Sequence, residues 1–90
     1  MTKTVLVTGA TDGIGLETAK LLVAAGHDVL AHGRSLAKLD AAREILSTGP
    51  GHVRVFQADL SRLDDVGMLA ESVAEATGHV DALINNAGVF

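Results

Sequence analysis

Residues 8–15 read TGATDGIG, directly after an apolar run over residues 4–8 and directly before a helical pattern. This order predicts a strand, a glycine-rich turn and a helix N-terminus. Backbone amides in the first turn of a helix have no partners within the helix, and the helix dipole adds partial positive charge there. Glycines let an anionic ligand approach the backbone closely because they have no Cβ. The stretch therefore predicts a site for a phosphate group.

The spacing of the glycines narrows the kind of phosphate site. Gly9, Gly13 and Gly15 form G-x-x-x-G-x-G, whereas ordinary dinucleotide-binding dehydrogenases carry G-x-G-x-x-G. A P-loop is excluded, since Leu16 rather than Lys follows the last glycine. The pattern Thr-Gly-x-x-x-Gly-Ile-Gly resembles the cofactor loop of the short-chain dehydrogenase/reductase family. A tight turn that binds nothing is the alternative on this motif alone.

Two further segments extend the resemblance over all 90 residues. Residues 58–61, ADLS, resemble the segment that contacts adenine at the end of the family's third strand. Residues 80–88, VDALINNAG, resemble its fourth strand and the Asn-Asn-Ala-Gly motif that closes that strand. Three motifs in the family's order identify the chain as similar to the cofactor-binding half of such an enzyme. The alternative is a differently wired nucleotide-binding α/β domain.

Composition and charge limit the class of partner. Hydrophobic residues make up 48% of the chain and charged residues 20%, which is typical of a packed globular protein. The net charge of −4 is spread along the sequence, which argues against a nucleic-acid or membrane partner. The first apolar run is too short for a signal-peptide core or a membrane span, so we expect a cytoplasmic location. Scattered histidines and the lack of cysteine predict no metal site.

Apolar strands alternate with helical patterns, which predicts an α/β fold with a parallel sheet. Strands are expected over residues 4–8, 28–32, 53–57 and 82–85. Helices are expected to begin near Gly13, after an N-cap at Ser35, and after a capping box at residues 61–64. The result is a Rossmann-type three-layer fold with sheet order 3-2-1-4 in one domain over residues 1–90. Its ligand crevice lies between the first and fourth strands.

The resemblance also implies that much of a normal subunit lies beyond Phe90. We therefore expect only the N-terminal half of the family's fold, with the fourth strand as an unprotected edge. Exposed edges and apolar faces tend to pair with other chains, so a homo-oligomer is expected.

Cofactor choice is expected at the end of the second strand, where the sequence is AHGR over residues 31–34. An acidic residue there would bond the ribose 2′-OH of NAD, whereas Arg34 offers a fork of donors suited to the 2′-phosphate of NADP. NADP is therefore favoured, and NAD stays possible. Asp12 runs against this preference, because NADP-using relatives often carry a basic residue there. A solvated arginine at a turn is the alternative for Arg34.

The resemblance implies that Asp59 accepts a hydrogen bond from the adenine amino group beside the Leu60 backbone, and that residues 86–88 line the ribose. A helix-cap or turn aspartate is the alternative for Asp59, and a strand-terminating turn is the alternative for the asparagines. His32 is interpreted as a solvated histidine beside a turn, and contact with the adenosine end of the cofactor is the alternative. The complete set of predicted cofactor-binding residues is Gly9, Thr11, Asp12, Gly13, Ile14, Gly15, Gly33, Arg34, Asp59, Leu60, Asn86, Ala87 and Gly88.

The family's catalytic residues have no counterpart in this sequence. Family members move hydride between a nicotinamide and a carbonyl or alcohol carbon, with a Tyr as acid/base and a Lys and a Ser beside it. The chain has no tyrosine, and none of its lysines matches Tyr-x-x-x-Lys. Two hypotheses follow. The chain is the cofactor-binding part of an NADP-dependent oxidoreductase with a small carbonyl or alcohol substrate, or it is a non-catalytic NAD(P)-binding sensor or interaction module.

Overall fold

Four parallel strands form a single sheet in the order β3-β2-β1-β4, as the alternation of patterns predicts. The computed structural model describes residues 2–87. Its strands are β1 (Thr4–Thr8), β2 (Asp28–Gly33), β3 (Val53–Gln57) and β4 (Ala82–Asn85). Its helices are α1 (Gly13–Ala24), α2 (Leu36–Leu46) and α3 (Leu63–Ala76). The predicted elements are therefore confirmed, with β2 one residue longer than expected.

Helices cover both faces of the sheet. Val7, Val29 and Ala31 point to one face, where they pack against Val23 of α1 and Leu46 of α2. The other face carries a smaller cluster, in which Leu30 of β2 packs against Ala58 and against Leu69 and Val73 of α3. Strands buried on both sides have nearly continuous apolar sequences, which is what β1 and β2 show. The three-layer prediction is confirmed.

The N-termini of α2 and α3 differ from each other. Ser35 caps α2 as predicted, since its hydroxyl accepts a hydrogen bond from the Lys38 amide. The predicted capping box of α3 is wrong. The N-cap is Arg62, which makes no side-chain cap bond, and the Ser61 hydroxyl instead donates to Asp59 Oδ1 at 2.7 Å. Ser61 lies one residue before the N-cap, and its hydroxyl and its amide both donate to the Asp59 carboxylate, which forms a local turn ahead of the helix.

Strand β4 is attached to β1 at its beginning by Asp81. The Asp81 amide donates to the Thr4 carbonyl at 2.8 Å, and Asp81 Oδ2 accepts from the Thr4 amide at 2.7 Å. Within residues 2–87 no strand lies on the other side of β4, and Leu83 is 60% exposed. Self-association through this edge stays a prediction. No helix in the described part of the chain is long and apolar enough to cross a membrane.

The stability that Asp81 contributes to the protein should depend on pH, and a substitution at this position measures that dependence. The hydrogen bond from the Thr4 amide holds the pKa of Asp81 below its ordinary value of 3.8. A carboxyl whose pKa is depressed by folding stabilises the native state above its unfolded pKa and loses that effect as the pH falls through the folded pKa. Asp81→Asn should therefore lower the melting temperature at pH 7, and the deficit should shrink as the pH falls below 3.8 and disappear once the pH is below the folded pKa of Asp81.

Asp40→Asn is the matched control, because Asp40 is exposed on α2 and its side chain makes no hydrogen bond to any other described residue. The control should leave the melting temperature nearly unchanged at both pH values. A deficit of Asp81→Asn that persists at low pH would contradict the proposed charge-assisted bond.

Candidate functional site

The turn after β1 is built around the backbone of Gly9, which has a φ of +64°. The Gly9 amide donates to His32 Nδ1 at 3.1 Å, and its carbonyl accepts from Asn86 Nδ2 at 3.1 Å. The next amide, that of Ala10, donates to the His32 carbonyl at 2.9 Å. Because these backbone groups are used internally, Gly9 offers a ligand its surface rather than hydrogen bonds.

Gly15 lies in the first turn of α1 and permits the closest approach in this region. A Cβ at Gly15 would collide with the Gly9 carbonyl oxygen and with the side-chain amide of Asn86. Asp12 occupies the N-cap position without a side-chain cap bond, so within residues 2–87 it leaves the amides of the first helical turn to other acceptors. Ile14 is 77% exposed beside them. This end of α1 is suited to an anionic group.

Thr8 joins the end of β1 to the segment after β4. Its buried hydroxyl accepts hydrogen bonds from the amides of Asn86 and Ala87, at 3.0 and 3.1 Å, and lies 3.1 Å from Asn85 Oδ1. Thr8 therefore holds the segment that directly follows β4. The same bonds hold Ala87 against the glycine turn, where a Cβ on Gly9 would come within 3.0 Å of the Ala87 Cα.

A cavity of about 470 Å³ lies at the carboxyl ends of the strands, between the glycine turn and the ends of β2 and β3. Seven of the predicted cofactor-binding residues line it, namely Gly9, Thr11, Gly33, Arg34, Asp59, Leu60 and Ala87. Five others lie outside its wall in the adjoining turn, helix start and strand end, namely Asp12, Gly13, Ile14, Gly15 and Asn86. Gly88 lies outside the described residues.

A larger cavity, about 560 Å³, opens at the amino ends of the strands, beside Asp28, His52 and Thr77. Ligands of open parallel α/β sheets bind outside the carboxyl ends of the strands. Of these two cavities, the smaller is therefore the candidate site, since it lies beside the glycine turn.

Cationic side chains collect at the mouth of the candidate cavity. Arg34 and Lys38 both line it, together with Ser35. Lys38 Nζ lies 3.5 Å from Asp12 Oδ2, and both side chains are largely exposed, at 63% and 74%. An exposed pair of this kind contributes little stability, but it offsets the charge of the Asp12 carboxylate locally.

Asp59 forms a turn and also lines the candidate cavity. Its Oδ1 accepts hydrogen bonds from the amide and the hydroxyl of Ser61, at 3.0 and 2.7 Å, which forms a turn. These bonds, with a smaller effect of the Arg34 and Arg62 charges, hold the pKa of Asp59 below its ordinary value. Asp59 Oδ2 makes no hydrogen bond to another described residue. An ionised carboxylate oxygen is thus available to a donor in the cavity.

The interpretation of His32 as a solvated residue is wrong, because His32 is only 4% exposed. Both of its ring nitrogens are hydrogen-bonded, Nδ1 to the Gly9 amide and Nε2 to the Ala58 carbonyl at 2.8 Å. Its position inside an otherwise apolar buried strand was the available signal, since buried polar groups need partners. Lys38 was also missed as a cavity residue. Its position three residues after an N-cap places it in the helical turn that faces the carboxyl ends of the strands.

Comparison with known proteins agrees with this geometry. The family model for short chain dehydrogenase matches residues 3–90. A fatty acyl-CoA reductase of Acinetobacter baylyi is 37% identical over 86 residues, which cover 96% of this chain and 29% of that protein. The chain spans about a third of the length of the curated relatives that it matches.

Solved structures also match this chain over nearly all of its length. A short-chain dehydrogenase from Sphingobium yanoikuyae in complex with NADPH has a TM-score of 0.84 and 36% identity, and the match covers 97% of this chain and 34% of that one. A xylitol dehydrogenase bound to NAD⁺ has a TM-score of 0.90 and 31% identity, with coverage of 97% and 34%. Proteins bound to either dinucleotide are thus among the similar structures.

Two glycine-to-alanine substitutions should change stability in opposite directions. Gly15→Ala places a methyl group against the Gly9 carbonyl and should destabilise the protein by roughly 1–3 kcal/mol, as overpacking does. Gly67→Ala lies in the exposed middle of α3, where a Cβ meets nothing within 4 Å, and should stabilise it by roughly 0.5–1 kcal/mol. Urea unfolding measures both. Equal stability of Gly15→Ala and the unaltered protein would contradict the close approach.

Proposed function

Because this chain belongs to the short-chain dehydrogenase/reductase family of oxidoreductases, we propose that it is the cofactor-binding part of an NADP-dependent member. The reaction of the whole protein is hydride transfer to or from the carbon of a small carbonyl or alcohol compound. Family members bind NAD or NADP, so the choice between the two dinucleotides must come from residues of this chain.

The observation that carries the choice of NADP is the charge at the end of β2. Arg34 follows the strand directly and lines the cavity, and no carboxylate stands at that position. A guanidinium matches a phosphate with paired hydrogen bonds, whereas a ribose 2′-OH is bound best by a carboxylate. Ser35 and Lys38 add a hydroxyl and a second cation to the same wall. The 2′-phosphate would lie among these three side chains.

Lys38 also offsets the negative charge of Asp12, which is unfavourable for binding a phosphate. A free carboxylate near a dianionic phosphate would repel it. The 3.5 Å pair between Lys38 Nζ and Asp12 Oδ2 offsets that charge and holds the carboxylate toward α2. The Asp12 position therefore remains compatible with NADP.

The remaining parts of the dinucleotide are assigned by the family resemblance, and the shape of the cavity supports these assignments. Asp59 Oδ2 would accept from the adenine amino group, with the Leu60 backbone beside it. The pyrophosphate would meet the amides in the first turn of α1, residues 13–15, which is where a helix favours an anion. Ala87, together with its neighbours Asn86 and Gly88, would line a ribose.

The chemistry of the reaction is divided between the cofactor and the protein. The bound dinucleotide supplies or accepts the hydride. The residues described here bind and orient it, and they place its adenosine end in a pocket that bears the required charge. The acid/base residue and the substrate pocket would come from other parts of the whole protein.

Arg34→Ala should weaken NADPH binding selectively. Hydrogen bonds to a charged group contribute about 1.5–3 kcal/mol, so the Kd for NADPH should rise by roughly 10- to 100-fold while that for NADH changes little. Titration of the complete protein with each ligand, followed by ligand fluorescence, measures both constants. Arg43→Ala is the matched control, since Arg43 is an exposed arginine on α2 outside the cavity wall.

Equal binding of NADPH and NADH by the unaltered protein would contradict the NADP preference. Tight binding of NADPH without turnover of any carbonyl or alcohol compound would instead favour a non-catalytic sensor. If the unaltered protein bound neither NADPH nor NADH, the proposal would be overturned.

Lys38→Ala should weaken NADPH binding more in the unaltered background than in an Asp12→Asn background. In the first case the substitution removes a cation and also leaves the Asp12 carboxylate unpaired beside the phosphate. In the second case only the cation is lost. A double-mutant cycle of NADPH affinities measures this coupling, and independent effects of the two substitutions would show that the pair does not serve the cofactor.

A further inference from the structure

We propose that His32 is a positioning residue for the dinucleotide, and that it acts as a neutral imidazole with its proton on Nε2. It ties the glycine turn after β1 to the adenine-side segment after β3. This inference rests on the proposed function, because the two segments that His32 connects are the ones to which the cofactor is assigned.

The hydrogen bonds of His32 determine its tautomer. A backbone amide can only donate, so the 3.1 Å contact from the Gly9 amide requires a lone pair on Nδ1. A carbonyl can only accept, so the 2.8 Å contact with the Ala58 oxygen requires a proton on Nε2. Both nitrogens are therefore committed, and a proton added at Nδ1 would face the Gly9 N–H.

His32 lies where its two hydrogen bonds connect opposite walls of the candidate cavity. The residue is 4% exposed at the end of β2, between β1 and β3. Its backbone carbonyl also accepts from the Ala10 amide, so one residue holds two successive amides of the turn. On the other side, its ring holds the carbonyl of Ala58, which directly precedes Asp59. The distance between the glycine turn and the adenine-side segment is thus set through one imidazole.

Neighbouring contacts strengthen the same link. The Ala58 amide donates to the Gly33 carbonyl at 3.0 Å, which continues the pairing of β2 with the chain after β3. The Gly9 carbonyl is held from the opposite side by Asn86. Loss of the imidazole would leave the Gly9 amide unpaired at a half-buried position and the Ala58 carbonyl unpaired at a buried one, and the second of these carries the larger cost in stability.

Three substitutions separate positioning from packing. The Asn side chain can place its oxygen near the Nδ1 position and accept a hydrogen bond from the Gly9 amide. The longer Gln side chain can place its amide nearer the Nε2 position and donate to the Ala58 carbonyl. The Leu side chain can form neither hydrogen bond. His32→Leu should weaken NADPH binding by roughly tenfold or more. His32→Asn should recover most of that loss, and His32→Gln should recover less. A role in packing alone would give the reverse order, with Leu and Gln above Asn, because Leu and Gln fill more of the volume of the imidazole than Asn does.

The tautomer is measured directly on the unaltered protein, by ¹⁵N chemical shifts of the imidazole nitrogens in two-bond proton–nitrogen correlation spectra. The expected result is an unprotonated Nδ1 and a protonated Nε2. A proton on Nδ1, or an affinity of His32→Leu equal to that of the unaltered protein, would overturn the inference and leave the proposed function intact. Absence of NADPH binding by the unaltered protein would overturn the proposed function as well.

Discussion

The hydrogen bonds of residues 8–10 are the constraint on which the rest of the structure depends. At the end of β1 the Thr8 hydroxyl holds the segment after β4, while the Gly9 and Ala10 amides are held by His32 of β2. The chain is thus attached to both neighbouring strands at the point where it turns into α1. Because the turn cannot shift toward either side, the start of α1 has a defined position above the carboxyl end of the sheet. The candidate cavity owes its shape to this arrangement.

The glycines of this turn have different structural roles. Gly9 supplies a left-handed backbone conformation and has no free amide for a ligand, whereas Gly15 is required by the close approach of the Gly9 carbonyl. The hydrogen-bond donors for an anion are therefore those of the first helical turn of α1. The cationic side chains of the cavity lie elsewhere, Arg34 on the loop after β2 and Lys38 in the first turn of α2. The helix end that favours an anion and the cationic wall of the cavity are consequently separate parts of the chain.

Most of the fold follows from local pattern. Short apolar runs bounded by glycines and polar turns predict the strands, and the helices between them require a parallel sheet with crossovers. Two details did not follow. Ser61 donates to Asp59 rather than capping α3, because the local turn with Asp59 places it one residue before the helix N-cap. His32 is buried rather than solvated, because its surroundings come from β1 and from the segment after β3, which are distant in the sequence.

The sequence by itself determined the α/β class and the residue types of the glycine turn, since these depend on spacing and periodicity along the chain, and its motifs gave the family and, through the family, the order of the strands in the sheet. Only the tertiary structure decided which side chains share one cavity. It brought Lys38 to Asp12, 26 residues away, and His32 to Ala58, also 26 residues away. The physical reason is that hydrogen bonds and charge pairs act over a few ångströms in space, whereas a sequence pattern reports only neighbours along a helix or a strand.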